Sequence, residues 1–88
     1  IRFEGMINRF TSKLCIEWSD QKKIRRLYNK VNKQSSLSTL NPLTRLACAI
    51  YMIIGEDKEN CRMVSLVCKV SEHTIIRSTE LITENILQ

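Results

Sequence analysis

The sequence predicts an all-α fold of five helices, and three observations predict it. Hydrophobic residues make up 43% of the 88 positions, enough apolar surface to offset the entropy of ordering a chain. Only two glycines and one proline are present, whereas an all-β fold draws heavily on turn residues. Apolar side chains recur every three or four positions in successive windows, and capping or terminating residues separate those windows.

The first window, residues 3 to 17, carries Phe3, Ile7, Phe10 and Leu14 at helical spacing with Met6 beside them, while Arg9 and Lys13 fall on the other side. A second helix starts after Ser19 or Asp20, either of which can accept hydrogen bonds from free amides. Its apolar face holds Ile24, Leu27, Tyr28 and Val31. Lys22, Arg26, Lys30 and Lys33 line the opposite face, with Lys23 and Arg25 at its flanks. That basic run is either a solvated face or an electropositive patch for phosphate or an acidic protein.

The polar linker QSSLSTL, residues 34 to 40, ends at Asn41-Pro42. Asparagine at the cap and proline at the first helical position mark a helix start, because proline has no amide hydrogen to leave unpaired there. The third helix runs from Pro42 to about Ile54 and stops at Gly55, a natural left-handed terminator. Within PLTRLACAIYMII only Thr44 and Arg45 are polar. A helix without a polar face must be wrapped by others, so this is the predicted central helix, and the small Ala47, Cys48 and Ala49 let neighbours approach closely.

After the polar loop EDKEN, a short fourth helix is predicted from about Cys61 to Cys68, capped by Asn60 and burying Val64, Val67, Met63 and Leu66. Ser71 then caps a fifth helix, with Glu72 placed to complement the helix dipole. Ile75, Ile82 and Ile86 form its apolar stripe, with Thr79 in the gap. Ile76 lies instead on the side of Glu72, Glu80 and Thr83, a bulky hydrophobe among charges. Two short helices joined by a tight turn form a candidate helix-turn-helix.

Net charge is +5, unevenly spread. Residues 1 to 55 hold ten Lys and Arg against three acids, a balance of +7, and residues 56 to 88 hold four against six, a balance of −2. The basic surface is therefore expected in the first half. The longest apolar run, Leu46 to Ile54, is too short to span a bilayer, and no basic-then-apolar leader opens the chain. The four cysteines, Cys15, Cys48, Cys61 and Cys68, form no closely spaced pair, so no zinc site is expected. Cys15, Cys48 and Cys68 sit among apolar neighbours and read as buried free thiols in a reducing compartment. There is no phosphate-binding glycine loop and no nucleophile elbow, and His73 has no acid or nucleophile at a recognisable spacing. An enzyme, a cofactor and a small-molecule substrate are accordingly not expected. Residues 1 to 88 read as one domain, and a first residue of Ile1 reads as part of a longer chain.

The run NPLTRLACAIYM (residues 41 to 52), a short polar loop, then VSLVCKVSEHTIIRSTELI (residues 64 to 82) resembles the second cyclin-like repeat of the transcription factor IIB family and its archaeal and polymerase III relatives. MINRFTSKLC, residues 6 to 15, looks like the first helix of that repeat. The resemblance implies a five-helix cyclin-like fold with a central third helix and a helix-turn-helix formed by helices 4 and 5. It implies a general transcription initiation factor, whose C-terminal repeat binds promoter DNA next to TATA-binding protein and helps recruit RNA polymerase. A nuclear setting follows for a eukaryotic source, and otherwise the intracellular site of transcription. The residues it points to for DNA are Asn41, Arg62, Lys69, Ser71, His73, Thr74, Ile76 and Arg77. The basic patch of Lys22, Lys23, Arg25, Arg26, Lys30 and Lys33 is left for DNA or a partner.

Three positions depart from the family pattern. His73 falls where a base-contacting valine is common, Lys69 where glycine is common, and Ile76 where the family has its base-reading arginine. Arginine can form two hydrogen bonds to guanine, whereas isoleucine meets a thymine methyl or another apolar surface. The alternative implied by that change is a cyclin-fold module that binds protein and not DNA.

Overall fold

The computed structural model describes residues 3–86, with side chains from residue 5 onward. Ile1 and the side chain of Phe3, both used above, lie outside the described residues. The chain is all-α: α1 (Phe3–Lys13), α2 (Trp18–Asn32), α3 (Pro42–Ile54), α4 (Lys58–Cys68) and α5 (Glu72–Ile86), with no strand among the described residues.

α3 is the hub, as its composition predicts: α2, α4 and α5 all pack on it. Leu46, Ala47, Cys48, Ala49 and Ile50 are fully buried along it. Its start follows the predicted chemistry, with Asn41 Oδ1 accepting the Leu43 N–H at 2.9 Å and Pro42 at the first turn. It ends at Gly55, whose φ of 125° and ψ of 132° lie outside the left-handed helical well. The residue is required there for another reason, since only glycine reaches that extended positive-φ region readily.

Two apolar clusters meet on α3. The larger joins Ile7 and Phe10 of α1, Ile24 and Tyr28 of α2, Val64 of α4 and Ile75 of α5. The smaller joins Val31, Leu37, Cys48 and Ile82. Leu37 comes from the linker, where Ser35–Leu37 form a single 3-10 turn that inserts a fully buried side chain between α2 and α5.

Three boundaries differ from expectation. α1 stops at Lys13 rather than near residue 17, because Cys15 takes a left-handed φ of 54°. The Cys15 N–H then bonds to the Ser12 carbonyl at 3.2 Å, and the Ile16 N–H to Thr11 at 2.9 Å. That pair of bonds is the Schellman closure of a helix end. α2 starts at Trp18 with Glu17 at its cap and no side-chain cap bond, so neither Ser19 nor Asp20 caps it. α4 starts three residues early because Asp57, not Asn60, is the cap, its Oδ1 accepting the Asn60 N–H at 2.8 Å. The Asn60 side chain instead donates to the Ile54 and Gly55 carbonyls at 3.3 and 3.1 Å, fastening α4 to the end of α3.

Candidate nucleic-acid interface

The turn between α4 and α5 is set by one residue. Lys69 ends α4 with φ 57° and ψ 41°, the left-handed conformation, and its N–H bonds to the Ser65 carbonyl at 2.9 Å. Val70 then enters the core, and Ser71 Oγ accepts the Thr74 N–H at 3.2 Å while donating to Thr74 Oγ1 at 2.6 Å. The Cys61 thiol donates to the Glu72 carbonyl at 3.7 Å, tying α4 to the first turn of α5. These contacts tie the end of α4 to the start of α5 across a short turn.

What this unit presents is mixed. Ile75 is fully buried, whereas Ile76 is 45% exposed. His73, Ile76 and Arg77 all project from α5, and Arg62 and Lys69 from α4 and the turn. Glu72, Glu80 and Glu84 are exposed on α5 as well, the first of them at its N-terminal end, so carboxylates flank the cations along the whole helix. Ser71 and Thr74 have their hydroxyls engaged with each other, and Asn41 is engaged in capping α3. Arg62 borders a cleft of about 560 Å³ with Lys58, Glu59 and Glu72. Arg77 borders a separate one of about 370 Å³ with Leu40 and Leu81.

Two cations that the sequence leaves in a distant helix belong here. Arg9 and Lys13 of α1 share a groove of about 200 Å³ with Lys69, floored by Phe10, Leu43 and Val67. The −2 balance of the second half therefore understates the potential beside the turn, because α1 packs against α4.

Met63 and Leu66 were expected inside and are instead 42% and 72% exposed. The buried stripe of α4 is Cys61, Val64 and Cys68, at i, i+3 and i+7, and Met63 and Leu66 fall off it. Cys15 is likewise exposed, not buried, since it lies in the turn that closes α1.

The basic patch on α2 forms as expected on its outer face, with two exceptions. Arg25 is half-buried and donates to Asn8 Oδ1 at 2.6 Å, and Lys23 pairs loosely with Asp20 at 3.9 Å. Lys22, Arg26, Lys30 and Lys33 are exposed. Trp18, which no sequence argument above singled out, is 67% exposed at the head of the same row, with the Lys22 ammonium 5.9 Å from its ring centre.

The buried thiols Cys48 and Cys68 offer no reactive centre. Burial pushes Cys48 up to about 11 and Cys68 up to about 12. Both stay protonated, and thiolate is the nucleophilic and metal-binding form. Among the described residues no group of three or more His, Cys, Asp or Glu is placed to hold a metal ion. No helix among them is long and apolar enough to cross a membrane.

Comparison with known proteins gives no match: no family model, no curated protein and no solved structure corresponds to this chain.

Proposed function

We propose that this chain is a transcription initiation module of the IIB type, a cyclin-like repeat that binds promoter DNA beside TATA-binding protein and helps recruit RNA polymerase without catalysing a reaction. The observation that supports it most is the α4–turn–α5 unit. Its turn is left-handed at Lys69, α5 is capped at Ser71, and His73, Ile76 and Arg77 project from the first two turns of α5. In a helix-turn-helix those are the positions that enter the major groove, while flanking cations hold the phosphates. Arg62 and Lys69, with Arg9 and Lys13 beside the turn, supply such cations. Ile76 directs readout toward a thymine methyl rather than guanine. The site of action is the nucleus for a eukaryotic source and otherwise the intracellular site of transcription.

The test is binding of the full-length polypeptide carrying this sequence to a TATA-containing duplex, with and without TATA-binding protein, across a salt series. The proposal expects a complex that requires TATA-binding protein and weakens steeply with salt. Absence of that complex overturns it.

A second reading is favoured by one observation. Met63, Leu66 and Ile76 are exposed on α4 and α5, in company with Glu72 and Glu80. Large apolar side chains left in solvent, Ile76 among the carboxylates of its own helix, suit a protein partner better than a phosphate-lined groove.

A further inference from the structure

The outer stripe of α2 has a composition that the helix-turn-helix does not use. Trp18, Lys22, Arg26 and Lys30 succeed one another at i+4 spacing along one ridge of the helix, and Lys33 follows at its C-cap. At 1.5 Å per residue the ridge is about 22 Å long. Its four cations are exposed and have no acid within ion-pair distance among the described residues. The acids at its start, Glu17 and Asp20, lie off the ridge, and Asp20 faces Lys23. The indole heads the row and is two-thirds exposed, although tryptophan is on average one of the most buried side chains. Lys22 sits over its ring at 5.9 Å and so holds a cation beside the open aromatic surface.

We propose that this ridge binds single-stranded nucleic acid, with Trp18 as the platform on which one base stacks and Lys22, Arg26, Lys30 and Lys33 as contacts to successive phosphates. A polyanion matches the uncompensated row of cations, and an exposed indole beside such a row matches an unstacked base. A duplex keeps its base faces inside the stack and offers the indole nothing to stack on. An acidic peptide would satisfy the cations but not the π face. Because α2 lies outside the α4–turn–α5 unit, the assignment stands apart from the promoter reading.

Trp18 is the only tryptophan, so its fluorescence reports this ridge alone. The experiment titrates the protein with an oligothymidylate of about 15 nucleotides, within the range of known single-strand site sizes. A fluorescein-labelled copy gives affinities by anisotropy. Expected results are quenching of Trp18 and a log–log salt slope near −2 to −3, at about −0.7 per phosphate contacted. Trp18→Ala should weaken binding by roughly 5- to 150-fold, as loss of one stacked base does, while Trp18→Phe retains most of it. Lys30→Gln with Lys33→Gln should leave the quenching but flatten the slope by about 1.4. Ile76→Arg and Lys69→Ala should change neither, which separates this site from the helix-turn-helix. No quenching at low salt overturns the proposal. So does equal affinity of Trp18→Ala and the parent chain, or quenching of Trp18 at lower concentrations of polyglutamate or of a thymidine–adenine duplex than of the single strand. Trp18 is exposed, and circular dichroism of its variants confirms that any loss is not unfolding.

Discussion

Replacing Lys69 with glycine should make the protein more stable, even though it removes a charged side chain and adds backbone freedom. Lys69 holds φ 57° and ψ 41°, where a β-carbon crowds the following carbonyl at a cost of about 1 to 2 kcal/mol. Glycine relieves that crowding but gives the unfolded chain more conformations, which takes back about 0.5 to 1 kcal/mol. The net expectation is a gain of about 0.5 to 1 kcal/mol. At about 4 to 8 °C per kcal/mol for a domain of this size, Tm should rise by about 2 to 8 °C. Lys69→Ala is the control, since it removes the same charge and keeps the β-carbon, and it should change stability by less than about 0.5 kcal/mol. Urea denaturation followed by circular dichroism measures both, with an unchanged m-value showing that stability alone has moved. If the glycine variant is no more stable than the alanine variant, the left-handed turn does not carry the strain assigned to it.

Other consequences follow from the same packing. Ile76→Arg should fold normally, because the side chain is 45% exposed, and should raise affinity for a guanine-containing upstream duplex by about 1 to 3 kcal/mol in an anisotropy titration. Thr79→Val should stabilise the fold by about 1 kcal/mol in urea. Thr79 Oγ1 is buried without a hydrogen-bond partner, and the neighbouring Cys48 thiol donates to the Ile75 carbonyl at 3.6 Å instead. The thiols also set an alkaline limit. Cys48 and Cys68 rise from 9.0 to about 11 and 12 on burial, so above about pH 9 the unfolded chain loses protons that the folded one keeps. Their contribution is complete below that pH and should fade as pH climbs through the folded values, seen as a falling urea midpoint that Cys48→Ala makes shallower. With Ellman's reagent, exposed Cys15 should react at once and the buried Cys48, Cys61 and Cys68 only on unfolding.

Features of the sequence that act within a few residues were legible. Asn41-Pro42 and Gly55 bound α3 because a cap, a missing amide hydrogen and a positive φ are properties of single residues. The split between Ile75 and Ile76 followed from helical periodicity, and the central place of α3 from its lack of a polar face. The failures share a cause. Cys15 carries no signal for a left-handed φ, yet the closure of α1 depends on it. Placing the start of α2 at Ser19 or Asp20 left Trp18 outside the helix and hid its i,i+4 relation to Lys22, the one signal that could have found it. Asp57 and Asn60 are both cap formers three residues apart, and tertiary bonds from Asn60 to the end of α3 decide between them. Arg9 and Lys13 reach the α4–α5 turn only because α1 packs on α4, which no local pattern encodes.

The central proposal is that the projecting face of α5 meets promoter DNA. Its most direct test puts a photoreactive benzoylphenylalanine at position 76 of the full-length polypeptide and irradiates it with a TATA-containing duplex, TATA-binding protein and RNA polymerase together. Since Ile76 is exposed and outside the core, the change leaves the fold intact. The account predicts a covalent adduct with the duplex upstream of the TATA element that disappears when TATA-binding protein is omitted. Adducts confined to polymerase or another polypeptide, with none to DNA, would contradict it and assign this face to a protein partner.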